Sequence, residues 1–301
     1  MMHRRQFLET ALAAPALAAP SSPWGSPVLD IHVHFRPGSA NIEHLDGSGV
    51  TKGVLLTGIA AEEQAKAEVQ RHPGRFVRFS TADITRPESF AQLERSAKAG
   101  SLGFGEIKFH VAVDGPEMRR LYDLAAEVGV PVLIHFQEWP QFTGQGVYNT
   151  PFDHLPAMLK AHPGTIFIGH GDAFWSHISA DVPGGVPYPT GKIKPGGLTD
   201  RMLSDFPNLY GDLSANSGRN AIGRDPEFYA GFASRHQDKL MFGSDCFCRD
   251  GRGLGQRSEQ PLIKGRCVAR ETLTALKQIT SPALFRKIAW ENGIRLLKIP
   301  A

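Results

Sequence analysis

The sequence predicts a single-domain α/β chain, a TIM-type (β/α)8 barrel, over residues 28–301, and three observations carry that expectation. Eight short apolar runs alternate with longer amphipathic segments. Ionisable residues recur at the C-terminal ends of several of those runs. The chain has 301 residues, 41% of them hydrophobic, ample for the one core of roughly 250 residues that such barrels use.

In order, the strand-like runs are Val28–Phe35, Gly53–Thr57, Phe76–Thr81, Phe104–His110, Val132–Gln137, Ile166–Gly171, Leu209–Leu213 and Leu240–Asp245. Between them, Ala61–Arg71, Glu88–Ala99, Glu117–Val128 and Pro226–His236 are expected helices. Their apolar residues recur every three or four positions, as in Met118, Leu121, Tyr122, Leu124 and Ala125, the spacing that puts one face of a helix against a core. Gly100, Gly129 and the His-Pro-Gly sequences at His72 and His162 are natural helix stops. Repeated strand–helix alternation implies parallel strands joined by right-handed crossovers. A closed barrel is the economical arrangement, and an open doubly wound sheet is the alternative that counting leaves open. The longest irregular stretch, Phe174–Gly197, follows the sixth run, where a loop would lie over the functional face as a lid.

A net charge of +3 is small for this length, and no run of Lys or Arg forms a stripe. That argues against nucleic acid or an anionic membrane as the main partner and leaves a small-molecule substrate. No apolar run approaches the roughly 20 residues of a membrane span. The three cysteines are too few for a disulfide framework. Cys246 and Cys248, one residue apart, raise a metal pair, but on an extended segment they read as ordinary free thiols. At the start, His3-Arg4-Arg5-Gln6-Phe7-Leu8 precedes an Ala/Leu-rich run, with Ala16-Leu17-Ala18 as a small-residue cleavage site. Residues 1–19 therefore read as a twin-arginine export signal and 20–27 as a Pro/Ser-rich linker. This predicts an exported, periplasmic protein; a frayed tail on a cytoplasmic protein is the alternative.

The chemistry is concentrated on strand-like runs. In Leu29-Asp30-Ile31-His32-Val33-His34-Phe35 polar and apolar residues alternate, and side chains two apart on a strand share a face. Asp30, His32 and His34 are expected to project together into the barrel, with Leu29, Ile31, Val33 and Phe35 packed on helices. Polar groups buried there need partners, and a cation satisfies two imidazoles at once. By the same test Glu106, Lys108 and His110 share a face of the fourth run. His135, His170 and Asp245 close the fifth, sixth and eighth, the catalytic position in this fold.

The series resembles the amidohydrolase superfamily, and within it the amidohydrolase-2 branch of metal-dependent hydrolases, lactonases and decarboxylases. The resemblance rests on Asp30-Ile31-His32-Val33-His34, Pro131-Val132-Leu133-Ile134-His135, Gly169-His170-Gly171 and Gly243-Ser244-Asp245, with Lys287–Leu297 similar to the family's closing helix. It implies one divalent cation held by His32, His34, His135 and Asp245. Such nitrogen-rich ligation suits zinc, with manganese as the alternative. It also implies that the metal acidifies a water, that Asp245 moves the water's proton, and that His170 orients or polarises a substrate oxygen. Gly105-Glu106-Ile107-Lys108 adds two possibilities. Glu106 resembles the metal-binding Glu of TatD-type nucleases, and Lys108 stands where phosphotriesterase-like relatives carry a carboxylated Lys. Either would recruit His135 and His170 to a second cation, whereas a plain Glu106–Lys108 pair would contact substrate or each other. The number of metals stays open at one or two.

The expected activity is metal-assisted hydrolysis of a C–N or C–O bond in a small carbonyl compound. Non-oxidative decarboxylation is the alternative, with Arg36, Lys108 or Arg219 gripping a carboxylate. A TatD-like nuclease is less favoured, for want of a basic stripe. A catalytically silent ligand-binding barrel is the reading from a different class.

Overall fold

Eight parallel strands pair in strict chain order: β1 (Leu29–His34), β2 (Lys52–Gly58), β3 (Phe76–Thr81), β4 (Phe104–Ile107), β5 (Val132–His135), β6 (Phe167–His170), β7 (Leu209–Asp212) and β8 (Leu240–Met241). The computed structural model describes residues 22–258, 260 and 262–300; the expected export signal lies outside them. A doubly wound sheet would reverse its strand order part-way, and this one does not. Two hydrogen bonds bring the ends of the sheet together: Ile31 N–H donates to Phe242 O at 3.1 Å and Asp245 N–H to His32 O at 2.8 Å. The result is a nearly closed barrel.

Helices α1 (Ala40–Ser48), α2 (Glu62–Arg71), α3 (Glu88–Lys98), α4 (Pro116–Val128), α5 (Leu155–Ala161), α6 (Asp172–Ser176), α7 (Leu198–Asp205), α8 (Ala215–Arg224), α9 (Pro226–Arg235) and α10 (Val268–Ile279) fill the connections. The four helices expected from periodicity are all present. Their stops are local: α4 ends on Gly129 at φ 74°, and α2 and α5 end at His72 and His162, where the following proline disfavours a further helical turn. Among the described residues no helix is long and apolar enough to cross a membrane.

Leu29, Ile31, Val54, Leu56, Phe79, Leu133, Ile168 and Met241, from six different strands, meet in one buried cluster, joined by Trp290, Leu297 and Ile299 near the C-terminus. His135 and His170 lie two residues beyond Leu133 and Ile168, so they share the faces of those residues and stand above the cluster. The C-terminal segment is structural, as expected: Asn292 Nδ2 donates to Leu240 O at 2.8 Å, and Phe242 N–H to Ile288 O at 3.0 Å.

Three expectations are corrected. The pairing of β1 with β2 shifts register between Asp30 and Val33, which breaks simple alternation. Leu29 and Ile31 therefore join the inter-strand cluster, while Asp30 turns to the Ser244 and His32 amides and to His44, away from the other two histidine rings. β4 ends at Ile107, so His110 does not continue the face of Glu106 and instead stacks on Tyr148, ring centroids 4.3 Å apart. The expected lid begins as core: Phe174, Trp175 and Ile178 are fully packed. Only its later part reaches the mouth of the barrel, at Tyr188.

Candidate metal centre

Glycines at two strands make room for the ionisable groups. A Cβ on Gly243 would stand 2.2 Å from Asp212 Oδ1 and 2.9 Å from His32 Cβ, so β8's extension can approach that pair only as glycine. Gly105, at φ 154°, leaves no room for a Cβ, which would meet Leu133 Cβ at 2.6 Å, and so lets Glu106 into the barrel mouth. Asp245 is held at φ 49°, a left-handed conformation that an ordinary residue adopts at some cost and that clusters at functional sites.

His32 is completely buried. Its Nδ1–H donates to Asp212 Oδ2 at 2.7 Å, and the Ser214 hydroxyl donates to the same oxygen at 2.6 Å. Having given its proton to Asp212, Ser214 Oγ accepts from His170 Nδ1–H at 2.7 Å. Both rings therefore carry their proton on Nδ1 and present Nε2 lone pairs. Both Nε2 atoms are buried and have no hydrogen-bond partner. An orphaned buried acceptor is costly, and two on rings with centroids 4.5 Å apart fit a shared cation. A bare Nε2 on His170 suits the possibility, open in the sequence beside contact with a substrate oxygen, that this ring binds a cation.

The carboxylates complete the ring of donors. Asp245 Oδ1 lies 3.3 Å from His34 Nε2 and 3.9 Å from His32 Nε2. Glu106 Oε2 lies 3.4 Å from His34 Nε2, while its Oε1 accepts from His135 Nδ1–H at 2.6 Å and lies 3.5 Å from His170 Nε2. Two sets of donor atoms gather within 4.8 Å of one another: His32, His34 and Asp245, and His32, Glu106 and His170. His135 reaches them through Glu106. Burial opposes ionisation of Glu106 and Asp245, but the surrounding imidazoles outweigh it, holding Glu106 well below the carboxylate range and Asp245 at about 2. Burial also disfavours charge on His34, yet Asp245 and Glu106 raise it to about 10. The cluster is thus rich in negative charge that a proton or a divalent cation can neutralise.

A cavity of about 270 Å³ opens above, lined by Lys108, His135, His170, Asp172, Tyr188 and Asp245 among others. Lys108 and Glu106 are not partners: the Lys108 ammonium lies over the Tyr148 ring, 5.2 Å from its centroid. Arg36 turns elsewhere, donating to Phe247 O at 2.7 Å and Ala40 O at 3.2 Å, and Arg219 does not line the cavity. Asp212, Ser214 and Asn149 are additions to the expected set. Asn149 ties β4 to β5, its Nδ2 donating to Ile107 O at 2.8 Å and His135 O at 2.7 Å. Asp212 had a signal: it is the last residue of β7, the strand-end position that singled out the others.

A parallel barrel with histidines and carboxylates converging at the C-terminal ends of β1, β4, β5, β6 and β8 is the architecture of a metal-dependent barrel enzyme acting on small molecules. The amidohydrolase family profile matches residues 32–299, and the chain belongs to that family. No curated protein matches the sequence. Among solved structures the fold is similar to 2,6-dihydroxybenzoate decarboxylase from Rhizobium (14% identity, TM-score 0.52, covering 91% of this chain and 99% of that one). It is also similar to dihydroorotase from Campylobacter jejuni (16%, 0.56, 91% and 84%) and to a TatD homolog from Escherichia coli K12 (15%, 0.54, 91% and 98%).

Proposed function

We propose that the protein is a zinc-dependent hydrolase that cleaves a C–N or C–O bond of a small carbonyl compound, and that residues 1–19 direct its export. The observation that carries the catalytic reading is the pair of orphaned Nε2 atoms, on His32 and His170, facing Asp245 and Glu106. His32, His34, His170 and Asp245 would hold the cation together with Glu106, which His135 orients. Imidazole-rich ligation with carboxylates suits zinc. A divalent cation there supplies Lewis-acid polarisation of a carbonyl and lowers the pKa of a water. Asp245, on the cavity wall, takes the water's proton and returns it to the leaving group. Tyr188 and Lys108 contribute the polar wall against which a small substrate is oriented. Decarboxylation is the second reading, favoured by Lys108, the one of the three expected carboxylate-binding cations that lines the cavity.

Incubation with a panel of lactones, amides and aromatic carboxylates in ¹⁸O-labelled water tests this. Hydrolysis gives metal-dependent turnover with ¹⁸O in the product acid; release of CO2 with no ¹⁸O in the organic product establishes the decarboxylase instead. Asp245→Asn keeps an oxygen for the cation but cannot serve as the base. It should retain its metal and lose about 10²–10⁴-fold in kcat. Near-normal turnover in that variant, with full metal, would overturn the role given to Asp245. His32→Ala with His34→Ala should lose one equivalent of metal relative to the unmodified chain, by elemental analysis.

A further inference from the structure

Behind Asp245 the three cysteines of the chain come together. Cys246 and Cys248 follow β8, and Cys267 is the residue before α10. The sulfurs of Cys246 and Cys267, 21 positions apart, lie 3.9 Å from each other, and the Cys248 thiol donates to Asp250 Oδ1 at 3.3 Å. All three are buried and none is in a disulfide. The third donor is His44 of α1, also fully buried. Its Nδ1–H donates to Cys248 O at 2.8 Å, which leaves Nε2 as the atom on the side of the sulfurs. That Nε2 faces Asp30 Oδ2 and Ser244 Oγ, each 3.4 Å away. His44 Nε2 and the sulfurs of Cys246 and Cys267 lie within 4.8 Å of one another.

We infer that His44, Cys246 and Cys267 form a second, structural zinc site, separate from the catalytic centre. The spacing favours an ion over a disulfide. A disulfide needs its sulfurs at about 2.04 Å; two thiolates about 2.3 Å from one tetrahedral zinc stand about 3.8 Å apart, close to the 3.9 Å seen. Imidazole and thiolate are the donors that structural zinc sites use. The His44 tautomer is fixed by a backbone carbonyl in the manner usual for ligating histidines. The sulfurs also receive backbone donors: Gly253 N–H reaches Cys248 Sγ at 3.1 Å and Cys248 N–H reaches Cys246 Sγ at 3.4 Å. Binding would release two thiol protons, and the two thiolates balance the charge of the cation. The site closes the segment between Cys246 and Cys267, which carries Phe247, Gln256, Arg257 and Gln260 to the cavity wall. Zinc here would therefore hold both Asp245 and one side of the substrate mouth.

The test uses the His32→Ala/His34→Ala chain, in which the catalytic ion is absent, alongside the unmodified chain. Both should release one equivalent of zinc when an organomercurial titrates the thiols, read with a chromogenic chelator. Exchange with Co²⁺ should give a sulfur-to-cobalt charge-transfer band, and Cys267→Ser should abolish both signals. Should Cys267→Ser prove insoluble, the unmodified chain still decides. Three thiols that react without releasing metal, or a Cys246–Cys267 disulfide in the peptide map, would overturn the proposal. Failure of the catalytic reading would show instead as unchanged metal content in the His32→Ala/His34→Ala chain.

Discussion

His32 presents a lone pair to the site only while its proton is kept on Nδ1, and Asp212 is what keeps it there. Asp212 Oδ1 also accepts the Ser214 N–H at 3.0 Å. In Asp212→Asn the amide carbonyl is still needed by that N–H, so the NH2 must face His32 Nδ1. The ring then has to accept at Nδ1 and carry its proton on Nε2, where the cation belongs. Metal affinity should fall about 10–100-fold, the usual effect of losing such an orienting group, with far-ultraviolet circular dichroism unchanged. Chelator competition measures it, and an unaltered affinity would mean that Asp212 does not set the tautomer. At this scale His32, His34, Glu106, His170 and Asp245 were legible because each combines strand alternation or a strand end with an ionisable side chain. Asp30 was misread because a register shift is not written in a polar–apolar pattern. The meeting of Cys246 with Cys267 was hidden by the irregular segment between them.

Elements were legible where periodicity is strong, and boundaries less so where a side chain ends one helix and starts the next. Between α8 and α9, Asp225 occupies both termini at once. Its Oδ1 accepts Phe228 N–H at 3.4 Å, capping α9, while its Oδ2 accepts Ile193 N–H at 3.1 Å from the stretch leading out of the lid. Nothing in periodicity announces this double duty, since Asp225 precedes Pro226 and reads only as a turn. Asp225→Ala removes the cap and leaves the buried Ile193 amide without its acceptor. It should destabilise the chain by about 1–3 kcal/mol, seen as a lower midpoint of urea unfolding with an unchanged slope. Because the lid's outgoing strand of backbone is fastened there, the Michaelis constant should rise more than kcat falls.

At the scale of the whole molecule, the barrel's order of strands followed from counting alternations, but its closure depends on two hydrogen bonds between β1 and the chain after β8 that no count reveals. The same scale decides what the export reading requires. A segment can be cleaved without harm only if the fold does not lean on it. Residues beyond the expected cleavage site have anchors of their own: Ser22 Oγ donates to Gly49 O at 3.4 Å, Trp24 Nε1 to Ser48 O at 3.0 Å, and Lys277 Nζ to Trp24 O at 3.0 Å. These fasten the linker across α1 and α10, so the barrel retains its first anchor when residues 1–19 are gone. A chain comprising residues 20–301 should therefore unfold within about 2 °C of the full chain, a difference of about 1 kcal/mol at this size, and bind the same amount of metal. Replacing Arg4 and Arg5 by Lys in the full chain should leave the precursor in the cytoplasm, folded and metal-loaded, because this route carries proteins that have already folded. Fractionation and amino-terminal sequencing give the result. Export and cleavage persisting after the double substitution would count against the twin-arginine signal, while a large loss of stability on truncation would show that residues 1–19 belong to the fold.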